Sequence, residues 1–225
     1  ICTIGKRYNK IVSIDNTFAT PYLQQPFQYD VDFIFHSTTK FLNGHGSAIG
    51  GVLIGKDIEK MNAVVYKTYK LLGGNSNPFD AFLLMQGIKT LAVRMDLHCR
   101  NAEQVAAFLD GHQAVEKVNY NGLSKHPDYE ISKKQMRHAG AVMSFELKGG
   151  FDKAVRFIDK LRICQRAVSL GTTDTLISHP ASMSHVGMQR DQRLAAGISD
   201  GLIRVSVGLE NIQDLLGDME QALAG

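Results

Sequence analysis

The chain has 225 residues, 44% of them apolar and 21% charged, and 25 basic against 22 acidic side chains leave a net charge of +3. That is the composition of a globular protein able to bury a core in one large or two small domains. The basic residues form no clustered stripe, and no stretch approaches the roughly 20 apolar residues of a membrane span, so neither nucleic acid nor a membrane is expected as a partner. Cys2, Cys99 and Cys164 are odd in number and far apart, which argues against a disulfide framework or a thiolate metal site and suits a reducing, cytoplasmic setting. No signal peptide is visible. The chain opens at Ile1 and runs almost at once into a strand-like segment, as the middle of a protein does.

IVSID (11–15), DFIFHS (32–37) and AIGGVLIG (48–55) are short, nearly continuous apolar segments, the pattern of strands buried on both faces of a mainly parallel sheet. After the second comes TTKFLNGHGSAIGG, rich in glycine and hydroxyls, so Lys40 projects from a strand's end into a loop. DIEKMNAVVYKTYKLL (57–72) reads as a helix stopped by Gly73 and Gly74. Asn77 is the expected N-cap and Pro78 the first residue of a helical run of about thirty residues, with Gly87 marking a bend or a close packing point. That run is long enough to tie two domains together. Beyond it VEKVNY, AVMSFEL, RAVSLG and LIRVSVGL read as strands, interleaved with helices at FDKAVRFIDKL and ENIQDLLGDMEQAL. In the last helix Ile212, Leu215, Leu216, Met219, Ala222 and Leu223 share one apolar face, and this half reads as a smaller α/β domain with a mostly antiparallel sheet.

Gly44, Gly46, Gly50 and Gly51 are spaced G-x-G-x-x-x-G-G and lead into a strand, which excludes the dinucleotide-binding turn. His179 and His185 lie six apart across Pro180, not at the i, i+4 spacing of a helical zinc pair, and read as loop or core residues. Asp15 ends a buried strand, where α/β folds bind ligands; a turn cap is the alternative, which Asp-Asn-Thr also suits. Lys40 holds the equivalent place after the next strand, a surface lysine being the alternative. An ammonium is costly to bury unpaired, and a lysine so held tends to lose its proton or make a covalent bond. With Ser37 and Thr39 beside it, the set offers an amine for an aldehyde, hydroxyls for a phosphate and a carboxylate for a ring nitrogen. Those are the three handles of pyridoxal 5′-phosphate, and the glycines let the chain pass close to cofactor and substrate.

DFIFHSTTKFLNGHG also resembles the lysine signature of the Cys/Met-metabolism pyridoxal-phosphate enzymes, the family of cystathionine γ-synthase, cystathionine γ- and β-lyases, methionine γ-lyase and O-acylhomoserine sulfhydrylases. The similarity continues through SIDNTFATPYLQQP, NPFDAFLLMQGIKTLAVRMDLHCRNA, AVSLGTTDTLISHPASMSH and AAGISDGLIRVSVGLENIQDLLGDMEQAL. It implies the α/β architecture of fold type I pyridoxal-phosphate transferases. Residues 1–85 are then the C-terminal part of the large cofactor-binding domain, with its mainly parallel sheet, and residues 86–225 the smaller C-terminal α/β domain.

The resemblance implies that Lys40 is the Schiff-base residue, that Asp15 pairs with the pyridine nitrogen, that Ser37 and Thr39 contact the phosphate, and that Ser169 and Arg204 hold the substrate carboxylate. The physics agrees for Arg204, whose planar guanidinium can grip a carboxylate through two parallel hydrogen bonds; alone it reads as a surface strand arginine in a salt bridge. The implied activity is elimination or replacement at the γ-carbon of sulfur-containing or O-acylated amino acids. A carbon-sulfur lyase is the leading expectation, with an O-acylhomoserine sulfhydrylase or cystathionine γ-synthase as the alternative. Gly171-Thr172 stands where the family often has Gly-Gly, closer to the lyases acting on methionine. The resemblance further implies a small-molecule amino-acid substrate, a homo-oligomer built as a dimer of dimers, and no metal.

It also implies that the N-terminal part of such an enzyme is missing, including the aromatic that stacks on the ring, the glycine phosphate loop, and the Tyr and Arg lent by the neighbouring subunit. Residues 1–225 alone are therefore expected to be inactive. Two other readings remain open: a non-catalytic fragment or assembly module, opposed by the intact Lys40, Asp15 and Arg204, and an aminotransferase of the same fold, disfavoured by the lysine signature.

Overall fold

A short helix, α1 (Cys2–Arg7), precedes strand β1 (Ser13–Asp15) in the computed structural model, which describes residues 1–224. Helix α2 (Thr20–Leu23) and a 3₁₀ turn (Pro26–Tyr29) lead to β2 (Phe33–Ser37), and β3 (Gly51–Gly55) completes a three-stranded sheet in the order β1-β2-β3. β1 runs parallel to β2, with Asp15 opposite Phe35 in the last register pair. β3 runs antiparallel to β2, so the described sheet is mixed where the apolar runs read as mainly parallel. The reason is the connection: residues 38–50 carry turns rather than a crossover helix, and a parallel return needs the crossover.

Nor is β3 buried on both faces, since Val52, Leu53 and Ile54 are each more than a third exposed. The core of this part lies under β2 and the loop that follows it, where Leu23, Val31, Phe33, Ile34, Phe41 and Leu42 are buried.

Residues 57–72 are helical as read, though as three joined pieces: α3 (Ile58–Lys60), a π-helical stretch (Met61–Tyr66) and α4 (Lys67–Leu72). Asn77 caps α5 (Pro78–Lys89) by accepting from Asp80 N–H at 2.9 Å. The thirty-residue helix breaks at Thr90, after which α6 (Leu91–Gly111) begins. Gly87 is the close packing point: a Cβ there would stand 2.2 Å from the carbonyl oxygen of Asn43, in the loop that carries Lys40.

The chain divides into two units, Ile1–Ala92 and the residues from Val93 onward. In the second, β4 (Val115–Asn119), α7 (Tyr129–Gln135), β5 (Val142–Leu147), α8 (Gly150–Lys160), β6 (Gln165–Arg166), β7 (Leu176–Ser178), α9 (Arg190–Ala195), β8 (Leu202–Ser206) and α10 (Ile212–Leu223) follow in order. The sheet order is β4-β5-β8-β7-β6, antiparallel except for β6 with β7. RAVSLG is strand only at its first residue, because pairing with β7 stops at Arg166 and Ala167. β7, α7 and α9 have no counterpart in the sequence reading. β7 is three residues long and wholly buried, too short to show a period.

Helix α8 packs on β5 and β8 and against α10, with Phe157 meeting Phe145 edge to face at 5.7 Å. Each fully buried aromatic or aliphatic side chain of this kind contributes about 1.5–3 kcal/mol. Asp218 on α10 is buried and accepts from the N–H groups of Arg162, Ile163 and Cys164 at 2.8, 2.9 and 2.9 Å. Those bonds satisfy the backbone N–H groups at the entry to β6. Burial alone would raise the Asp218 carboxyl, but these three N–H groups and Gln221 together outweigh it and hold the group below the ordinary carboxylate value.

Two outcomes follow from this packing. Gly87→Ala should destabilise by about 1–3 kcal/mol, measured by denaturant unfolding, although alanine in a helix is ordinarily worth about 1 kcal/mol over glycine. An unchanged or raised midpoint would mean that the Asn43 loop yields freely. Asp218→Asn should cost about 1–3 kcal/mol at neutral pH by leaving buried N–H groups without acceptors. Because the folded-state carboxyl is depressed, that difference is fully present above about pH 4 and shrinks as the pH falls below the unfolded value. A gap that stays constant down to pH 3 would contradict the assignment.

Candidate active site

Parallel β1 and β2 bring their carboxyl ends to one edge of the sheet, and the first four expected site residues lie there: Asp15 at the end of β1, Ser37 at the end of β2, and Thr39 and Lys40 just beyond. Asp15 Oδ1 accepts from Thr17 N–H at 2.9 Å, the Asx turn that the alternative reading expected. That turn engages one oxygen and leaves Oδ2 for a further donor. Thr17 Oγ1 in turn accepts from Ser37 N–H at 2.8 Å, so the turn after β1 is tied to the end of β2.

Lys40 sits in a single helical turn. Its N–H donates to Ser37 O at 3.3 Å, Asn43 N–H donates to Thr38 O at 3.1 Å, and Gly44 N–H donates to Lys40 O at 2.8 Å. Thr38 and Phe41 on either side are buried, while Thr39 and Lys40 are partly exposed, so the lysine is fixed at its backbone and accessible at its side chain. Thr39 Oγ1 accepts from Gly50 N–H at 3.0 Å and makes only a long, 3.4 Å donation to Gly50 O. A phosphate oxygen can take that hydroxyl proton while the Gly50 N–H keeps the side chain in place. A Cβ at position 50 would lie 2.7 Å from Thr38 Oγ1 and force that side chain to move, so glycine suits this close approach.

Burial holds the His36 imidazole below its usual value despite the opposing pull of the Asp15 carboxylate and a hydrogen bond to the Asn16 backbone. A neutral His36 adds no cation beside Asp15. The donor set is therefore an amine, a carboxylate with a spare oxygen, two hydroxyls and backbone N–H groups. It fits pyridoxal 5′-phosphate, whose aldehyde, ring nitrogen and phosphate call for these groups.

In the second unit the structure brings the other two expected residues into contact: Arg204 Nη2 donates to the Ser169 carbonyl at 2.7 Å. The contact observed is therefore through the Ser169 main chain. Arg204 is the one half-buried residue of β8, between buried Ile203 and Val205, and its register neighbours are the small residues Ser144 and Ser178. Small neighbours leave width for a guanidinium. The alternative reading of a salt-bridged surface arginine does not hold, since no carboxylate pairs with Arg204 among the described residues. Its Nε is buried without a hydrogen-bond partner, and burial lowers the guanidinium pKa. A buried unmet N–H on a cation is costly, and an anionic ligand removes that cost.

The loop after β8 is held by groups that the sequence reading passed over. Thr175 Oγ1 accepts from Gly208 N–H at 2.8 Å and donates to Glu210 Oε2 at 2.9 Å, and Asn101 on α6 donates to the Gly208 and Glu210 carbonyls at 3.1 and 3.0 Å. His98 Nδ1 donates to Val207 O at 2.7 Å, and burial, against that bond and with the Arg94 charge adding to it, pushes its pKa down to about 4. His179 is a core residue as read, giving Nε2–H to Asp200 O at 2.8 Å and pairing Nδ1 with the Ser182 hydroxyl at 2.9 Å. Thr17 and Thr175 carry no residue-type signal of their own; only the Asx-turn preference of Asp-Asn-Thr hinted at the first.

The family model for "Cys/Met metabolism PLP-dependent enzyme" matches residues 1–224. The chain is 48% identical over 216 residues to an L-methionine gamma-lyase of Fusobacterium nucleatum, covering 96% of this chain and 54% of that protein. It is 43% identical over 223 residues to a cystathionine beta-lyase of Coxiella burnetii, covering 99% and 58%. The crystal structure of cystathionine gamma synthase from Xanthomonas oryzae pv. oryzae in complex with aminoacrylate and cysteine superposes with a TM-score of 0.94 at 42% identity, over 99% of this chain and 57% of that one. The chain thus spans little more than half the length of the relatives it matches. With a model match over nearly every residue, identities above 40% and the fold of the solved relatives, the chain belongs to the Cys/Met metabolism PLP-dependent enzyme family.

Proposed function

We propose that this chain carries the cofactor-binding lysine edge and the substrate-carboxylate residues of a pyridoxal-phosphate-dependent carbon-sulfur lyase acting on sulfur-containing amino acids of the methionine and cystathionine class. The observation that carries the reading is the edge formed by β1 and β2, where Asp15 and Ser37 are linked through Thr17 and Lys40 stands on a pinned turn three residues on. The methionine gamma-lyase relative at 48% identity supports elimination over replacement.

Pyridoxal 5′-phosphate, when bound, supplies an electron sink for charge developed at the substrate α-carbon. Lys40 Nζ would hold the cofactor's aldehyde and is the group placed to move a proton at the substrate α-carbon. Asp15 holds a proton on the ring nitrogen through its spare carboxylate oxygen, an electrostatic role aimed at the transition state. Ser37 and Thr39 bind the phosphate, with Thr39 already oriented by Gly50. Arg204 binds the substrate carboxylate with its Nε and the guanidinium edge not given to Ser169, whose carbonyl fixes the rotamer.

The same reading carries a homo-oligomer built as a dimer of dimers. Phe79, Phe82, Met85 and Ile88, at three-residue intervals on α5, are each about half exposed or more, and such a stripe is surface suited to burial in an assembly. A cytoplasmic setting accords with three cysteines that are all free.

Borohydride reduction of the full-length protein loaded with cofactor, followed by peptide mapping, should place the label on Lys40; label on Lys70 or Lys89 overturns the assignment. Arg204→Lys should lower kcat/KM for methionine or cystathionine at least tenfold, mainly through KM, because a point ammonium cannot reproduce a bidentate grip. The cofactor's absorption should stay unchanged. KM and kcat both within about twofold of wild type, roughly 0.4 kcal/mol, would mean that the carboxylate is held elsewhere.

A further inference from the structure

We infer that Thr17 is a positioning residue for the cofactor edge, joining the ring-nitrogen partner to the phosphate-binding end of β2. The inference rests on the proposed cofactor role of this edge. β1 and β2 pair in register only as far as Asp15 and Phe35; the next main-chain link is Asn16 N–H to Phe35 O at 3.0 Å, and beyond it the strands part. Across the gap runs a side-chain bond, Ser37 N–H to Thr17 Oγ1 at 2.8 Å. The same residue's own N–H fixes Asp15 Oδ1 at 2.9 Å. Thr17 therefore touches both handles, one through its backbone and one through its hydroxyl.

The hydroxyl is also well placed to act as a fixed spacer. Thr17 is 5% exposed, and its β-branched side chain has restricted χ1 freedom. Ser37 in turn fixes Lys40, whose N–H it accepts at 3.3 Å, so a shift of Ser37 is passed to the lysine turn. Held this way, the carboxylate and the phosphate end keep one separation whether or not cofactor is bound. The rigid cofactor, which must meet a ring-nitrogen partner and a phosphate site at once, then finds both already set.

The test compares wild type, Thr17→Val and Thr17→Ser in the full-length protein. Valine keeps the shape and removes the acceptor, leaving Ser37 N–H unmet; serine keeps the acceptor. The readouts are the dissociation constant of pyridoxal 5′-phosphate from the apo-protein, the pH dependence of the bound cofactor's visible absorption, and the apo-protein melting temperature.

Thr17→Val should weaken cofactor binding about tenfold, the scale of one lost hydrogen bond to a buried amide. It should also displace the absorption-versus-pH curve, since the turn whose backbone holds Asp15 is no longer tied to Ser37 and the carboxylate shifts against the ring nitrogen. Thr17→Ser should restore both to within about twofold. A role confined to stability would lower the melting temperature of Thr17→Val without moving the absorption curve, and that result overturns the inference. So does a serine variant that binds cofactor tenfold or more weakly than wild type, an outcome that remains readable even if the valine variant fails to fold. If wild type itself takes up no cofactor, the cofactor reading fails, and this inference falls with it.

Discussion

Two parallel strands ending side by side constrain everything chemical in the first unit. Parallel pairing sends both carboxyl ends to one edge, so residues twenty-five apart in sequence, Asp15 and Lys40, enter the same neighbourhood. Past the last register pair the backbone amides need new partners. Thr17, Gly50 and Ser37 supply them, and by doing so they fix the loop that presents the lysine. The need to satisfy buried main-chain groups and the need to orient reactive side chains are met by the same few bonds.

The second unit solves a different problem, that of keeping a cation in the middle of an apolar strand. β8 is buried along its length except at Arg204, and burial there disfavours the charged guanidinium. The Ser169 carbonyl answers part of that cost and the flanking serines of β5 and β7 give the side chain room. The donor that remains unmet at Nε is the feature that supports the proposed carboxylate-binding role of this arginine. Around it, Thr175, Glu210 and Asn101 hold the chain just beyond β8, which limits how far the strand's end can move.

Glycine does similar work in the first unit by absence of a side chain. Gly50 lets the backbone reach the Thr38 and Thr39 hydroxyls, and Gly87 lets α5 lie against Asn43. The lysine turn is thereby pressed from one side by a helix and tied from the other by a strand. A methyl group at position 87 would require backbone movement, and one at position 50 would require the Thr38 side chain to shift.

The chain's residue order already carried the chemistry proposed for the site: an amine, a carboxylate and hydroxyls at strand ends, with an arginine in a later strand, are local facts of residue type and pattern. It also determined the long elements, because β2, the helices at 78–111 and α10 carry enough repeats of their period to be unmistakable. The rest was settled by contacts across the fold. The antiparallel direction of β3, the existence of β7, the break at Thr90 and the Thr17 bridge depend on which backbone groups find partners across space. A hydrogen bond between residues far apart in the chain leaves no periodic trace in either segment, so no reading of local pattern could have placed it.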